Sequence, residues 1–169
     1  IFMPVFGLNN GMVPIVSYNY GAKRKDRMVR AYKITVATAM SIMAVGTLLF
    51  ECVPELLLGM YNASENMLML GVPALRICGI SLLFGGLSQI YASSYQTMGY
   101  SGLSLLANAC RQAFLPLPLA WLLSRTGVLG NVWFSLVISE IATCILSFFL
   151  SRFVMKQAQH KIEARLREV

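Results

Sequence analysis

Charge is what this sequence has least of. Only 12% of its 169 residues are Asp, Glu, Lys or Arg, against about a quarter in an ordinary soluble domain. None at all falls between Ile77 and Cys110. A membrane-spanning helix needs ~20 apolar residues, so that interval holds one whole crossing and much of another. A water-soluble helical core is excluded on this ground. Histidine is nearly missing as well: His160 is the single one, and in a cationic tail it reads as a solvated surface residue. Cys52, Cys78, Cys110 and Cys144 are scattered without CxxC spacing, so they read as free, small apolar residues and not as metal ligands or disulfides. There are no paired carboxylates, no phosphate-cradling Gly loop and no metal-ligand cluster. Catalytic residues, a bound metal and an organic cofactor are therefore all unassigned, and the chain is read as not an enzyme.

What the sequence does have is hydrocarbon: 57% hydrophobic residues and a mean hydropathy of +0.65. The formal charge is +7, but the cations gather beside helix ends, and no nucleic-acid-binding motif accompanies them. In that position they are orientation signals and contacts to anionic lipid. The membrane lipid is thus an expected partner and nucleic acid is not.

The organising stretch is Gly7 to Arg30. An apolar helix with two adjacent amides, Asn9 and Asn10, runs through Pro14 to Gly21 and meets a dense patch of Lys23, Arg24, Lys25, Arg27, Arg30 and Lys33. Lys and Arg are held on the inner side of a membrane, so this helix is expected to exit into the cytoplasm. The spacing then predicts five spanning segments: about Phe2 to Tyr20, Ala31 to Glu51, Val72 to Met98, Gly102 to Ser124, and Asn131 to Val154. At 1.5 Å per residue each can cross a ~30 Å hydrocarbon layer.

The connection from Cys52 to Leu70 carries Glu55 and Glu65 without Lys or Arg, as an outer loop should. Within it, Pro54 and Leu56-Leu57-Leu58 predict a short interfacial piece. Asn62-Ala63-Ser64 matches a glycosylation sequon, a weak signal that is expected to go unused. Residues 155–169 carry apolar positions at near-helical spacing among cations, which predicts an amphipathic cytoplasmic tail on the inner leaflet. Both basic clusters then lie on one side, with the C-terminus cytoplasmic. The chain opens inside an apolar run without a signal-peptide pattern, and it is expected to be a piece of a longer protein.

Ionisable groups within hydrocarbon cost several kcal/mol unless paired or wetted, so the few that remain draw attention. Arg76 lies near the outer start of the third segment. Arg111 sits roughly 13–14 Å along the fourth from its inner end, and Glu140 roughly 16–17 Å along the fifth from the same surface. Sequential antiparallel helices would bring Arg111 and Glu140 to similar depth, so they are expected to pair, as a brace between two helices or as a moving functional pair. The amides Asn9, Asn10, Gln89, Gln96 and Asn108 can bond across helix interfaces. Tyr91 and Tyr95 near Gln89 could face an organic cation or simply pack the core. Gly7-x-x-x-Gly11 would admit a close neighbour. Gly85-Gly86 and Pro116-x-Pro118 would bend or loosen their helices.

The run Gly7-x3-Gly11-x2-Pro14-Ile15-Val16-Ser17-Tyr18-Asn19-Tyr20-Gly21-Ala22-Lys23, with Arg27 after it, resembles the eighth-helix signature of the multidrug and toxic compound extrusion (MATE) family. Leu75-Arg76-Ile77 and Gln96-Thr97-Met98-Gly99 are similar to the start and exit of that family's tenth helix. Arg111 with Leu115-Pro116 resembles its eleventh helix, and Trp133 with Glu140 its twelfth. The resemblance implies an all-α, polytopic transmembrane helix bundle: five spanning helices from one six-helix lobe of a twelve-helix transporter, with the N-terminal lobe as a missing partner.

It also implies a multi-pass protein of a prokaryotic cytoplasmic membrane that exports drugs or small organic cations. Alternating access would be driven by antiport of H⁺ or Na⁺. The tenth-helix acidic position of some members has no counterpart between Ile77 and Gly99, which favours H⁺ with protonation in the other lobe. Substrate contacts carry over only to Asn10, Gln89 and Tyr91. Two rivals stand beside this reading. One is a flippase for lipid-linked oligosaccharide or peptidoglycan precursor, which should show several deep Arg or Lys for pyrophosphate, where only Arg111 lies deep. The other is a non-transporting membrane assembly subunit.

Overall fold

The computed structural model of the chain describes residues 1–61, 64–127 and 129–167. It is 91% helical, and the described residues contain no strand. The helices are α1 (Phe2–Gly21), α2 (Lys25–Cys52), α3 (Pro54–Gly59), α4 (Glu65–Thr97), α5 (Ser101–Ala109), α6 (Pro116–Ser124) and α7 (Leu129–Arg167), with a π-helical turn, Cys110–Phe114, between α5 and α6. By length and composition α2, α4 and α7 can cross a membrane. Helix α1 is about 30 Å long at 1.5 Å per residue, but its amides and prolines dilute its apolar character. The sequon falls on Asn62 and Ala63, outside the described residues.

Four segments depart from the boundaries read off the sequence. Most of the first basic patch is not loop: Arg24 precedes α2, and Lys25, Arg27, Arg30 and Lys33 ride on its first turns, where Asp26 suits the helix N-terminus. Helix α4 starts at Glu65, not near Val72, because the Ser64 hydroxyl accepts from the Met67 N–H at 3.4 Å and Glu65 supplies an acidic first turn. It continues through Pro73 without ending. The fourth segment is not one α-helix. Pro116 and Pro118 cannot donate to carbonyls four residues back; the ladder slips one residue, and the Leu115 N–H reaches the Cys110 carbonyl at 3.0 Å.

The fourth departure is the tail. Helix α7 does not stop near Val154 but runs on as one helix to Arg167. Its apolar positions Val154, Met155, Ala158 and Ile162 are buried in a cluster with Met28, Tyr95 and Met98. Of the positions expected to face lipid, Met155, Ala158 and Ile162 are covered by the protein itself, while Phe153 is 56% exposed.

At the centre stands α4, packed against α7, α2, α5 and α1. From Ile90 to Tyr95 every residue is buried, so here the helix is enclosed on all sides. Gly85 and Gly86 neither break nor bend this helix out of α geometry; they let neighbours in. A Cβ on Gly86 would lie 2.5 Å from Met43 Cγ of α2, and one on Gly85 3.3 Å from the Glu140 carboxyl of α7. On α7, which packs against α4, Ser135, Ser139, Thr143, Ser147 and Ser151 recur every fourth residue, and all five are buried. Small side chains on both faces permit the close approach that holds helices together where no hydrophobic effect operates between them. Four of these hydroxyls bond carbonyls of their own helix, as Thr143 does to Ser139 at 2.7 Å. The glycines of α1 differ: nothing lies within 4 Å of where a Cβ on Gly7 or Gly11 would stand.

Both basic clusters sit at one end of the bundle. Lys25 Nζ lies 2.5 Å from Glu163 Oε1, tying the start of α2 to the far end of α7. The turn after α4 reaches the same end. Gly99 (φ 92°) closes that helix, with Tyr100 N–H on the Tyr95 carbonyl at 3.0 Å and Gly99 N–H on the Gln96 carbonyl at 3.1 Å. This swings Tyr100 onto α7, where its hydroxyl donates to Gln157 at 2.6 Å and accepts from Lys161 at 3.2 Å.

Candidate functional site

The one buried ion pair among the described residues is assembled by the break in the fourth segment and by the glycine on α4. Arg111 lies in the π-helical turn, and Glu140 lies on α7, one residue after Ser139 of the stripe. Arg111 Nη1 donates to Glu140 Oε1 at 3.3 Å and to the Gly85 carbonyl at 3.4 Å, and Nη2 donates to Gln89 Oε1 at 3.2 Å. The side chains are 10% and 19% exposed. One guanidinium therefore joins three elements: its own turn, α4 through Gly85 and Gln89, and α7 through Glu140.

Local structure explains each placement. A π-turn widens the helix and displaces the side chains it carries, and such turns concentrate at functional positions. A Cβ on Gly85 would also press to 3.0 Å from the Phe2 ring, so Phe2 and the Glu140 carboxyl would have to give way. Its carbonyl serves two donors, Arg111 and, at 2.9 Å, the Ser88 hydroxyl. Yet the pair is incomplete, with Arg111 Nε and Glu140 Oε2 buried and without a hydrogen-bond partner. A bidentate guanidinium–carboxylate pair would use both oxygens. The single leg leaves one carboxylate oxygen able to take another partner.

The three side chains read from sequence as substrate contacts are not brought to one place. Gln89 joins the Arg111 cluster. Tyr91, two residues on, projects to another side of α4, is 8% exposed, and meets the Phe148 ring edge-on at 5.9 Å. Asn10 is exposed on α1, and the neighbouring Asn9 is the amide turned into the bundle, with its Oδ1 buried and unpartnered. Of the remaining amides, Asn108 Nδ2 donates to the Ser104 carbonyl at 3.0 Å and Asn19 Nδ2 to that of Ile15 at 2.8 Å, each within its own helix, whereas Gln96 Oε1 of α4 accepts from the Ser104 hydroxyl of α5 at 3.4 Å. Arg76 is well inside α4, where it lines a hollow of about 780 Å³ beneath α3 together with Glu55.

Sequence reasoning passed over two features of this region. Gly85 is the residue whose carbonyl and missing side chain admit both charges. The four-residue hydroxyl stripe of α7 is buried along its length beside Glu140, and its spacing was there to be counted.

The family model MatE matches residues 1–122 of the chain. The multidrug export protein MepA of Staphylococcus saprophyticus is 26% identical over 165 residues, which cover 97% of this chain and 36% of that protein. MepA of Staphylococcus haemolyticus is 26% identical over 147 residues, covering 86% and 32%. A crystal structure of MATE in the bent conformation superposes with a TM-score of 0.87 at 17% identity, over 96% of this chain and 36% of that one. The chain spans about a third of the length of these curated relatives.

Proposed function

As the chain belongs to the MatE family, we propose that it forms the C-terminal part of a secondary active exporter. Its cargo would be drugs or other small organic, cationic compounds, moved out by antiport with H⁺ or Na⁺ through alternating access. The observation that carries this reading is family membership over residues 1–122, and members of the family are transporters, not enzymes. The chain is a multi-pass membrane protein with α2, α4 and α7 able to cross; α1 and the broken α5–α6 segment complete five crossings. The end holding Lys25, Tyr100 and Lys161 faces the cytoplasm of a prokaryotic cell, because that is where basic residues are retained.

The internal geometry supports a moving part. A π-turn followed by two prolines is a discontinuity in an otherwise helical segment, and transporters place discontinuous helices at their working sites. Arg111 at this joint holds α4 by two hydrogen bonds and α7 by one, and these can be exchanged. Asn10 is open on α1 and free to face a cavity shared with the N-terminal lobe. Gln89 would reach cargo only by releasing Arg111, and Tyr91 only by leaving Phe148. Protons are favoured over Na⁺, as α4 carries no carboxylate after Glu65; the proton-binding carboxylate then belongs to the other lobe.

The test is dye efflux from vesicles holding the full-length protein. An imposed proton gradient should drive it, an uncoupler should abolish it, and a Na⁺ gradient alone should not replace it. Dye movement indifferent to both gradients would remove the antiport reading.

A further inference from the structure

On the side of α4 away from Arg111, a groove of about 560 Å³ opens between α2 and α7, within the ~300–1,000 Å³ of ordinary ligand pockets. Its floor is apolar and aromatic, built from Val36, Tyr91 and Phe148; its rim is cationic, with Lys33, Arg152 and Lys156. The Arg152 guanidinium lies 5.0 Å above the Phe148 ring, which steers it across the groove. No Asp or Glu lines it. The Tyr32 hydroxyl, donating to Ser151 at 3.3 Å, adds a neutral polar contact at the same level.

The charge and the grease are ordered along the helices. From Lys156 back to Phe148 the groove runs roughly 12 Å along α7 at 1.5 Å per residue, passing from cations at the basic end of the bundle to aromatic floor. Met40 within it (52%) and Ile34 (56%) and Phe153 (56%) next to its lining residues in sequence are exposed, as surfaces bathed in hydrocarbon are. A ligand filling this groove needs an anionic head with acceptor oxygens and an apolar body continuing toward the membrane interior.

We propose that the α2–α7 groove is a binding site for one anionic glycerophospholipid of the inner leaflet. Its phosphate sits among Lys33, Arg152 and Lys156, and the first part of an acyl chain lies over Val36, Tyr91 and Phe148. The occupant is a lipid and not free phosphate because the floor would gain nothing from an inorganic ion. The site does not depend on the coupling ion, and a lipid held there keeps Tyr91 against Phe148 and so away from cargo.

The full-length protein is purified in detergent with dioleoyl phosphatidylglycerol or dioleoyl phosphatidylcholine, and retained lipid is read by native mass spectrometry. The phosphatidylglycerol adduct should persist and the phosphatidylcholine adduct should not, with excess inorganic phosphate displacing neither. The triple variant Lys33→Gln, Arg152→Gln, Lys156→Gln should lower retention on the order of a hundredfold, since each basic side chain near an anionic surface contributes about fivefold. Ala37→Trp, which fills the groove from its α2 wall and leaves every charge in place, should abolish the adduct as well. Equal retention of both lipids, displacement by inorganic phosphate, or undiminished retention in either variant overturns the proposal. Should the triple variant fail to fold, the Ala37→Trp result decides.

Discussion

Arg111 and Glu140 meet through one nitrogen and one oxygen, at 3.3 Å, with Arg111 Nε and Glu140 Oε2 left unpartnered. The cost of removing either partner is therefore the burial of a lone charge. Glu140→Gln should destabilise the bundle by ~3–5 kcal/mol, seen as a lowered Tm in detergent, and should depress dye efflux by the full-length protein. Exchanging the two, Arg111→Glu with Glu140→Arg, should recover much of both. A double exchange that folds yet stays as inactive as Glu140→Gln means that transport does not use the pair.

The turns after α1 and α4 share one hydrogen-bonding pattern, but one is built on Lys23 (φ 58°) and the other on Gly99 (φ 92°). A side chain in the left-handed region costs roughly 1–2 kcal/mol. Gly99→Ala should lower stability by about that amount, measured by thermal unfolding, and loosen the Tyr100 contacts to Gln157 and Lys161. A variant as stable as the parent would show that the turn relaxes without penalty.

Gly86 faces Met43 with no room for a methyl group. Since Met43 is fully buried, it has little space into which to retreat. Gly86→Val should cost about 1–3 kcal/mol, the usual range for overpacking, whereas Gly7→Ala on the open face of α1 should leave the Tm of this lobe unchanged. Equal effects at the two glycines would contradict the packing described for α4.

Orientation is tested by labelling. With the native cysteines replaced, a cysteine at Arg24 or at His160 should react with a membrane-impermeant maleimide only when the cytoplasmic face is exposed. One at Glu55 should react in intact cells. Labelling of the first two from opposite sides would break the inference that they share a face.

Much of this architecture was readable before any coordinates. Uncharged runs longer than a bilayer is thick can only be spanning helices, and the clustering of cations beside two connections placed both basic clusters at one end. The glycine after Met98 and the prolines after Leu115 marked a turn and a disruption. What misled was treating each boundary as local. The tail is continuous with α7 and buries Met155, Ala158 and Ile162, which its sequence could not announce because an amphipathic helix has the same pattern whether its apolar side meets lipid or protein. The start of α4 looked later because Ser64 and Glu65 work as a cap, a contribution that hydropathy does not measure.

The sequence by itself determined the solvent, the helical class and the common end of the two basic clusters, since these follow from the summed transfer cost of many side chains. It could narrow Arg111 and Glu140 to similar depth, because rise per residue is constant. Only the tertiary structure decided that Gln89 stands with that pair while Tyr91 and Asn10 do not, and that Gly85 supplies the third contact. Those outcomes depend on the rotation of each helix about its own axis, which is set by packing between helices, such as Phe2 and Glu140 against Gly85 and Met43 against Gly86.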